Sequence, residues 1–154
     1  MEKREEIIAG LQKAYWQEME TIMNYLANSV NLDGIRGEEI REILNTEVQD
    51  ELGHAQRLAQ RIKELDGKVQ GSMDFKPSQE KAQPPKESTN LRSVIEGVID
   101  AEEGAINHYR YMIKLTDGID YVTQDLCIDL LGDEEGHLRL FKGFKRGLDI
   151  DEQR

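Results

Sequence analysis

The chain has a single cysteine, Cys127, three prolines and only 6% aromatic residues. One cysteine excludes an internal disulfide, a CxxC redox pair and a four-cysteine zinc or iron–sulfur site built by one chain, and it fits a reducing compartment. Positive charge is also short: 20 Lys and Arg stand against 31 Asp and Glu, a net charge of -11. That sign repels phosphate backbones and anionic lipid, and no basic patch offsets it, so no nucleic-acid or membrane partner is expected. Apolar residues never run to the roughly 18 a membrane span needs, and the charged start MEKREEIIAGLQKAYWQE lacks the apolar core of a signal peptide. A soluble, cytoplasmic protein is the expectation.

What is present is helical periodicity. All three prolines, Pro77, Pro84 and Pro85, fall in residues 67–89, a stretch without sustained period that reads as a crossover. On either side, apolar residues recur every three to four positions, predicting helices at about 3–32, 38–66, 91–116 and 121–146. Asn90 and Asp120 suit N-caps, and Gly34, Gly67 and Gly118 stand where helices stop. The four helices form two similar hairpins. Glu18, Ile22, Tyr25 and Asp33-Gly34-Ile35 recur at one constant offset as Glu102, Ile106, Tyr109 and Asp117-Gly118-Ile119. Asp50-Glu51-x-Gly53-His54 recurs as Asp133-Glu134-x-Gly136-His137, at an offset shorter by a single position. Short breaks make each hairpin antiparallel, and the long crossover spans a helix length. The prediction is one all-α domain, residues 1–154, a four-helix bundle running up-down-down-up.

Some acidic residues sit where this pattern calls for core. Glu18 lies within the stripe Leu11, Ala14, Ile22 and Tyr25, whereas Glu20, about 200° further round the helix, is assigned to the solvated face. Glu47, Glu51 and His54 share the core face of the second helix with Leu44 and Leu58. Glu102 falls on the core row of the third helix, and Glu103 with Arg110 on an outer row. Glu134 and His137 face inward with Leu130 and Phe141. Heights agree too. Glu18 precedes Asp33 by the same interval as Glu102 precedes Asp117, and Glu51 follows Ile35 at the interval by which Glu134 follows Ile119, to within one position.

Four carboxylates and two imidazoles therefore converge inside an apolar bundle. Buried ionised carboxylates are costly, and like charges in contact oppose one another's ionisation. Two divalent cations resolve both problems, balancing charge while Glu-x-x-His pairs, a turn apart on one helix face, complete the coordination. The expected ligands are Glu18, Glu51, His54, Glu102, Glu134 and His137. Iron, manganese and zinc all suit such a set. Tyr25 and Tyr109, each seven residues beyond a ligand Glu, are placed either to hydrogen-bond a ligand carboxylate or to pack in the core. Glu47 is a candidate for a supporting or entry-route role. His108 shares none of this context and reads either as exposed or as a residue supporting a ligand, and Cys127 as a small core residue. Gly53 and Gly136, each preceding a ligand His, are expected to avoid crowding against a neighbouring helix.

With these residues the chain resembles the ferritin-like superfamily, and within it the bacterioferritins. Glu18, Glu51, His54, Glu102, Glu134 and His137 match that family's six iron ligands, and Tyr25 its site tyrosine. The resemblance implies a di-iron centre that binds two Fe(II), reacts with O2 or H2O2 and passes Fe(III) towards storage or detoxification. It implies that Glu51 and Glu134 bridge the ions, with Glu18 and His54 terminal on one and Glu102 and His137 on the other. A homo-oligomer, at least a dimer, is expected. Leu52 replaces the family's haem-binding Met, so haem is not expected, and the short segment after Phe144 argues against a 24-subunit cage. Two alternatives stay open: a rubrerythrin-like peroxide reductase or other di-iron oxidase without storage, although Ala105 stands where rubrerythrins carry a further Glu; and a non-catalytic helical assembly or cargo module.

Overall fold

The computed structural model describes residues 2–154 and contains four long helices: α1 (Glu2–Asn31), α2 (Glu38–Glu64), α3 (Leu91–Thr116) and α4 (Tyr121–Glu152). Short 3₁₀ turns at Ile35–Gly37 and Glu80–Ala82 interrupt the connections. The expected caps form: Asn90 accepts from Ser93 N–H at 3.1 Å and Asp120 from Thr123 N–H at 3.0 Å. Gly34 and Gly118 adopt φ of 100° and 70°, which a glycine tolerates where each hairpin turns. At the end of α2 the left-handed residue is Asp66 (φ 60°) rather than Gly67, whose N–H closes the helix on Ile62 O at 2.9 Å. No helix of the described residues is long and apolar enough to cross a membrane.

The chain direction follows from the core. One apolar cluster joins Ile7 and Leu11 of α1 to Leu58 and Ile62 of α2, Tyr109 and Met112 of α3, and Cys127 and Leu130 of α4. A second joins Tyr25 and Leu32 to Ile40 and Leu44, Val94 and Val98, and Phe141. Each end of the bundle thus holds the start of α1, the end of α2, the end of α3 and the start of α4, or the reverse, which is the up-down-down-up arrangement. Between the two clusters lies a polar layer.

α4 runs six residues past its expected end at 146. Arg92 explains the extension: it reaches from α3 to Asp149 at 2.8 Å and Glu152 at 2.8 Å, pinning the last turns. The crossover lies along α1 and is fixed by polar side chains. Gln12 accepts from Gln70 N–H at 2.7 Å, Trp16 donates to Gly71 O at 2.7 Å, and Asn28 donates to Ala82 O at 2.8 Å. Glu20 belongs to this seam. Contrary to its assignment to the solvated face, it is buried and accepts from the N–H groups of Ser78 and Gln79 at 2.9 and 3.0 Å. The crossover covers the face that periodicity had left to water.

Candidate metal centre

Glu18, Glu51, Glu102 and Glu134 are each 1% exposed or less, and they meet His54 and His137 in the polar layer. His54 Nδ1 stands 3.5 Å from Glu18, 3.8 Å from Glu51 and 3.0 Å from Glu134. His137 Nδ1 stands 3.3 Å from Glu51, 3.6 Å from Glu102 and 4.0 Å from Glu134. Two ligand groups result, Glu18–Glu51–His54–Glu134 and Glu51–Glu102–Glu134–His137, with all ligand atoms of a group within 4.8 Å of one another. Glu51 and Glu134 belong to both. The imidazoles lie nearly parallel, centroids 6.5 Å apart.

These groups conflict unless cations separate them. Seven of their buried atoms have no hydrogen-bond partner: Glu18 Oε2, both Glu51 oxygens, His54 Nδ1, Glu102 Oε2, Glu134 Oε1 and His137 Nδ1. The tautomers sharpen the conflict. His54 Nε2 lies 3.0 Å from Asp133 and His137 Nε2 lies 3.4 Å from Asp50. A carboxylate only accepts, so each Nε2 carries a hydrogen, which leaves each Nδ1, aimed at the carboxylates of the cluster, as the atom a metal would take on displacing any proton there. That is the tautomer a metal ligand needs. Burial drives the Glu51 and Glu134 carboxyls upward, Glu134 further through its closeness to Glu102. Burial pulls the His137 imidazolium down, but the Glu102 and Glu51 carboxylates outweigh it and hold it at about 11. The donor set, hard oxygens with two imidazoles, fits two iron-sized divalent cations.

The surroundings fix the ligands crosswise. Tyr25 of α1 donates to Glu102 Oε1 of α3 at 2.8 Å, and Tyr109 of α3 donates to Glu18 Oε1 of α1 at 2.8 Å. Both open readings of Tyr109 hold, since the ring also packs in the core. Asp133 supports His54 of the other hairpin, and Asp50 supports His137 in return. Sequence reasoning passed over these two aspartates, although both copies of the Asp-Glu-x-Gly-His string contain one.

Three further positions depart from expectation. His108 is buried, and its Nε2 lies on Gly10 O at 2.8 Å and on no residue of the cluster, so it ties α3 to α1. A Cβ on Gly53 or Gly136 would meet nothing within 4 Å. Rather than avoiding a crowded helix, these glycines line an open cleft of about 560 Å³ between α2 and α4, with His54, His137, Asp50 and Asp133. Glu47 is buried beside the site but joins neither ligand group. Cys127 is core, as expected, its thiol pushed up to about 12 by burial.

A four-helix bundle with a duplicated Glu and Glu-x-x-His set defines the class of carboxylate–histidine metal bundles. The family model of the ferritin-like domain matches residues 8–148, and the chain belongs to that family. It is 26% identical over 142 residues to a bacterioferritin of Desulfovibrio desulfuricans, covering 92% of this chain and 75% of the relative. It is 28% identical over 146 residues to a "DNA protection during starvation protein" of Pyrococcus furiosus, covering 93% and 78%. Among solved structures, the dodecameric thioferritin of Bacteroides fragilis, a bacterioferritin-related protein, superposes with a TM-score of 0.87 at 22% identity, covering 97% of this chain and 90% of that one. The D. desulfuricans bacterioferritin superposes at 0.83 with 23% identity, covering 97% and 83%.

Proposed function

We propose that this chain is a ferroxidase of the ferritin type, which binds two Fe(II) in the cluster and oxidises them with O2 or H2O2. The observation that carries this reading is the set of seven buried, unpartnered ligand atoms in two groups sharing Glu51 and Glu134. Two Fe(II) held side by side supply the electron pair that peroxide takes up, or half of what O2 takes on its way to water. In this reading Glu51 and Glu134 bridge, Glu18 and His54 hold one ion, and Glu102 and His137 hold the other. Asp50 and Asp133 keep both imidazoles in the ligating tautomer. Tyr25 and Tyr109 fix the terminal carboxylates with one oxygen left inward. The apolar clusters above and below exclude water, and the acidic rim of the cleft favours entry of cations.

We place the chain in a homo-oligomer, a reading supported by Met19, Met23, Leu26 and Val30, which recur at steps of four, three and four along α1 and stay exposed, Val30 at 72%. Native mass tests this. For the chemistry, anaerobic Fe(II) titration followed by mixing with O2 or H2O2 is expected to give two ions bound and oxidised per chain. Glu51→Ala, which removes a ligand from both groups, and His137→Ala are expected to abolish oxidation in a folded protein. Iron retained far beyond two per chain indicates storage, while sustained peroxide turnover at two per chain indicates a reductase. Absence of any Fe(II) binding sinks the reading.

A further inference from the structure

Met19, Met23, Leu26 and Val30 lie within about 60° of one another round α1 and are between 37% and 72% exposed. Half of this stripe is methionine. An unbranched thioether suits a surface that packs against a partner, because it adapts to the shape it meets. It also differs from the leucine and valine beside it in being oxidisable: a sulfoxide is a polar side chain where an apolar one stood. The other sulfur atoms of the described residues are placed differently. Met112 is fully buried, and Met73 is 94% exposed but stands in the crossover rather than on α1. Cys127 is buried with its thiol pushed up to about 12, so it offers no thiolate to an oxidant at neutral pH.

The stripe is the surface along which the proposed homo-oligomer pairs, so these side chains are open on a free chain and covered on an assembled one. Hydrogen peroxide, a reactant in the function proposed above, reaches both sulfurs on the free chain. A sulfur lone pair attacks one oxygen of H2O2 and the O–O bond breaks; that oxygen stays on sulfur and the other leaves as water. The sulfur is oxidised by two electrons and the peroxide reduced by two. Met19 and Met23 are a turn apart on one helix face, so oxidation of both sets two polar S–O groups side by side in the stripe. Covering them with the apolar face of a partner then leaves strong acceptors without hydrogen bonds, which opposes association.

We infer that Met19 and Met23 are a peroxide-responsive modification site that governs self-association through α1. As thioethers they seal the stripe against a second copy; as sulfoxides they keep the chain single. The inference rests on the homo-oligomer reading and not on the dinuclear one. Methionine sulfoxide reductases, one for each sulfoxide epimer, reverse the change, two thiols giving a disulfide and water as the sulfur is reduced.

Native mass and peptide mapping before and after H2O2 test this on the full chain in iron-free buffer, where the peroxide meets no Fe(II). Dilute wild type is expected to gain one oxygen atom at each of Met19, Met23 and Met73 and none at Met112. Its self-association is expected to weaken by roughly a hundredfold or more, and reductase treatment to restore it. At concentrations where the chain is assembled, Met19 and Met23 are expected to oxidise more slowly than in dilute solution. Met19→Leu combined with Met23→Leu keeps the stripe apolar and is expected to stay assembled after the same treatment, although Met73 is still oxidised. Met23→Gln imposes polarity without an oxidant and is expected to weaken assembly by itself, which decides the matter should the treated chain lose its helical circular dichroism. Unchanged association with both sulfoxides in place, an equal loss in the double Leu variant, or Met19 and Met23 unreactive where Met73 reacts overturns the switch and leaves the homo-oligomer standing. A single chain at every concentration before treatment overturns both.

Discussion

Glu20 accepts two backbone N–H groups of the crossover, so removing its carboxylate leaves buried donors at Ser78 and Gln79 without a partner. Glu20→Ala is expected to lower the unfolding free energy by about 1–3 kcal/mol in urea melts while leaving Fe(II) oxidation intact, because Glu20 touches no ligand. His108 gives a pH signature. Burial lowers its folded-state pKa below the usual value, against the weaker opposing pull of the Gly10 carbonyl. The unfolded chain therefore takes up the proton first as pH falls, and His108 destabilises the fold progressively below about pH 6.5. His108→Gln should flatten that part of the stability curve relative to wild type between pH 7 and 5; identical slopes would contradict it. At this scale the sequence was legible where a polar residue interrupted an apolar row, as Glu18, Glu51, Glu102 and Glu134 do. It was not legible for Asp50 and Asp133, which look like ordinary surface acids until the partner imidazole arrives from a helix of the other hairpin. Glu20 was misassigned for a related reason: its partner segment has no period by which its path can be predicted.

Two glycines in helix interiors show how far the helices themselves tolerate change. A Cβ on Gly97 of α3 would collide with the Lys81 carbonyl and lie 2.9 Å from Ala82 Cα, backbone that cannot swing aside. Gly136 of α4 faces open space. Gly97→Ala is expected to destabilise by roughly 1–3 kcal/mol, and Gly136→Ala to stabilise by up to about 1 kcal/mol while slowing Fe(II) entry through a narrower cleft. Thermal melts with stopped-flow oxidation check both. The helices were legible almost to the residue at their beginnings, where Asn90 and Asp120 cap them through local chemistry. The end of α4 was not, because nothing in residues 147–152 announces Arg92, which reaches them from another helix.

At the scale of the molecule, a polar layer divides the core into two apolar halves, and its buried, unpartnered carboxylates oppose folding; in the dinuclear reading proposed above, bound cations offset that cost. Metal removal should therefore lower the melting temperature markedly, and Fe(II) or Co(II) at about 100 times its dissociation constant should restore about 2.7 kcal/mol per site. Calorimetry of chelator-treated and reloaded protein measures this, and melting temperatures independent of metal would refute it. The topology was legible from one long aperiodic segment between two matching hairpins, since only a crossover of that length lets α3 run parallel to α2.

Each repeat props up the other's candidate ligands: Tyr25 serves Glu102, Tyr109 serves Glu18, Asp133 serves His54 and Asp50 serves His137. Halves so interlaced are not free to change independently. A lineage that loses the acid at position 50 loosens residue 137, not its own neighbour at 54, and descendants should vary in those diagonal pairs.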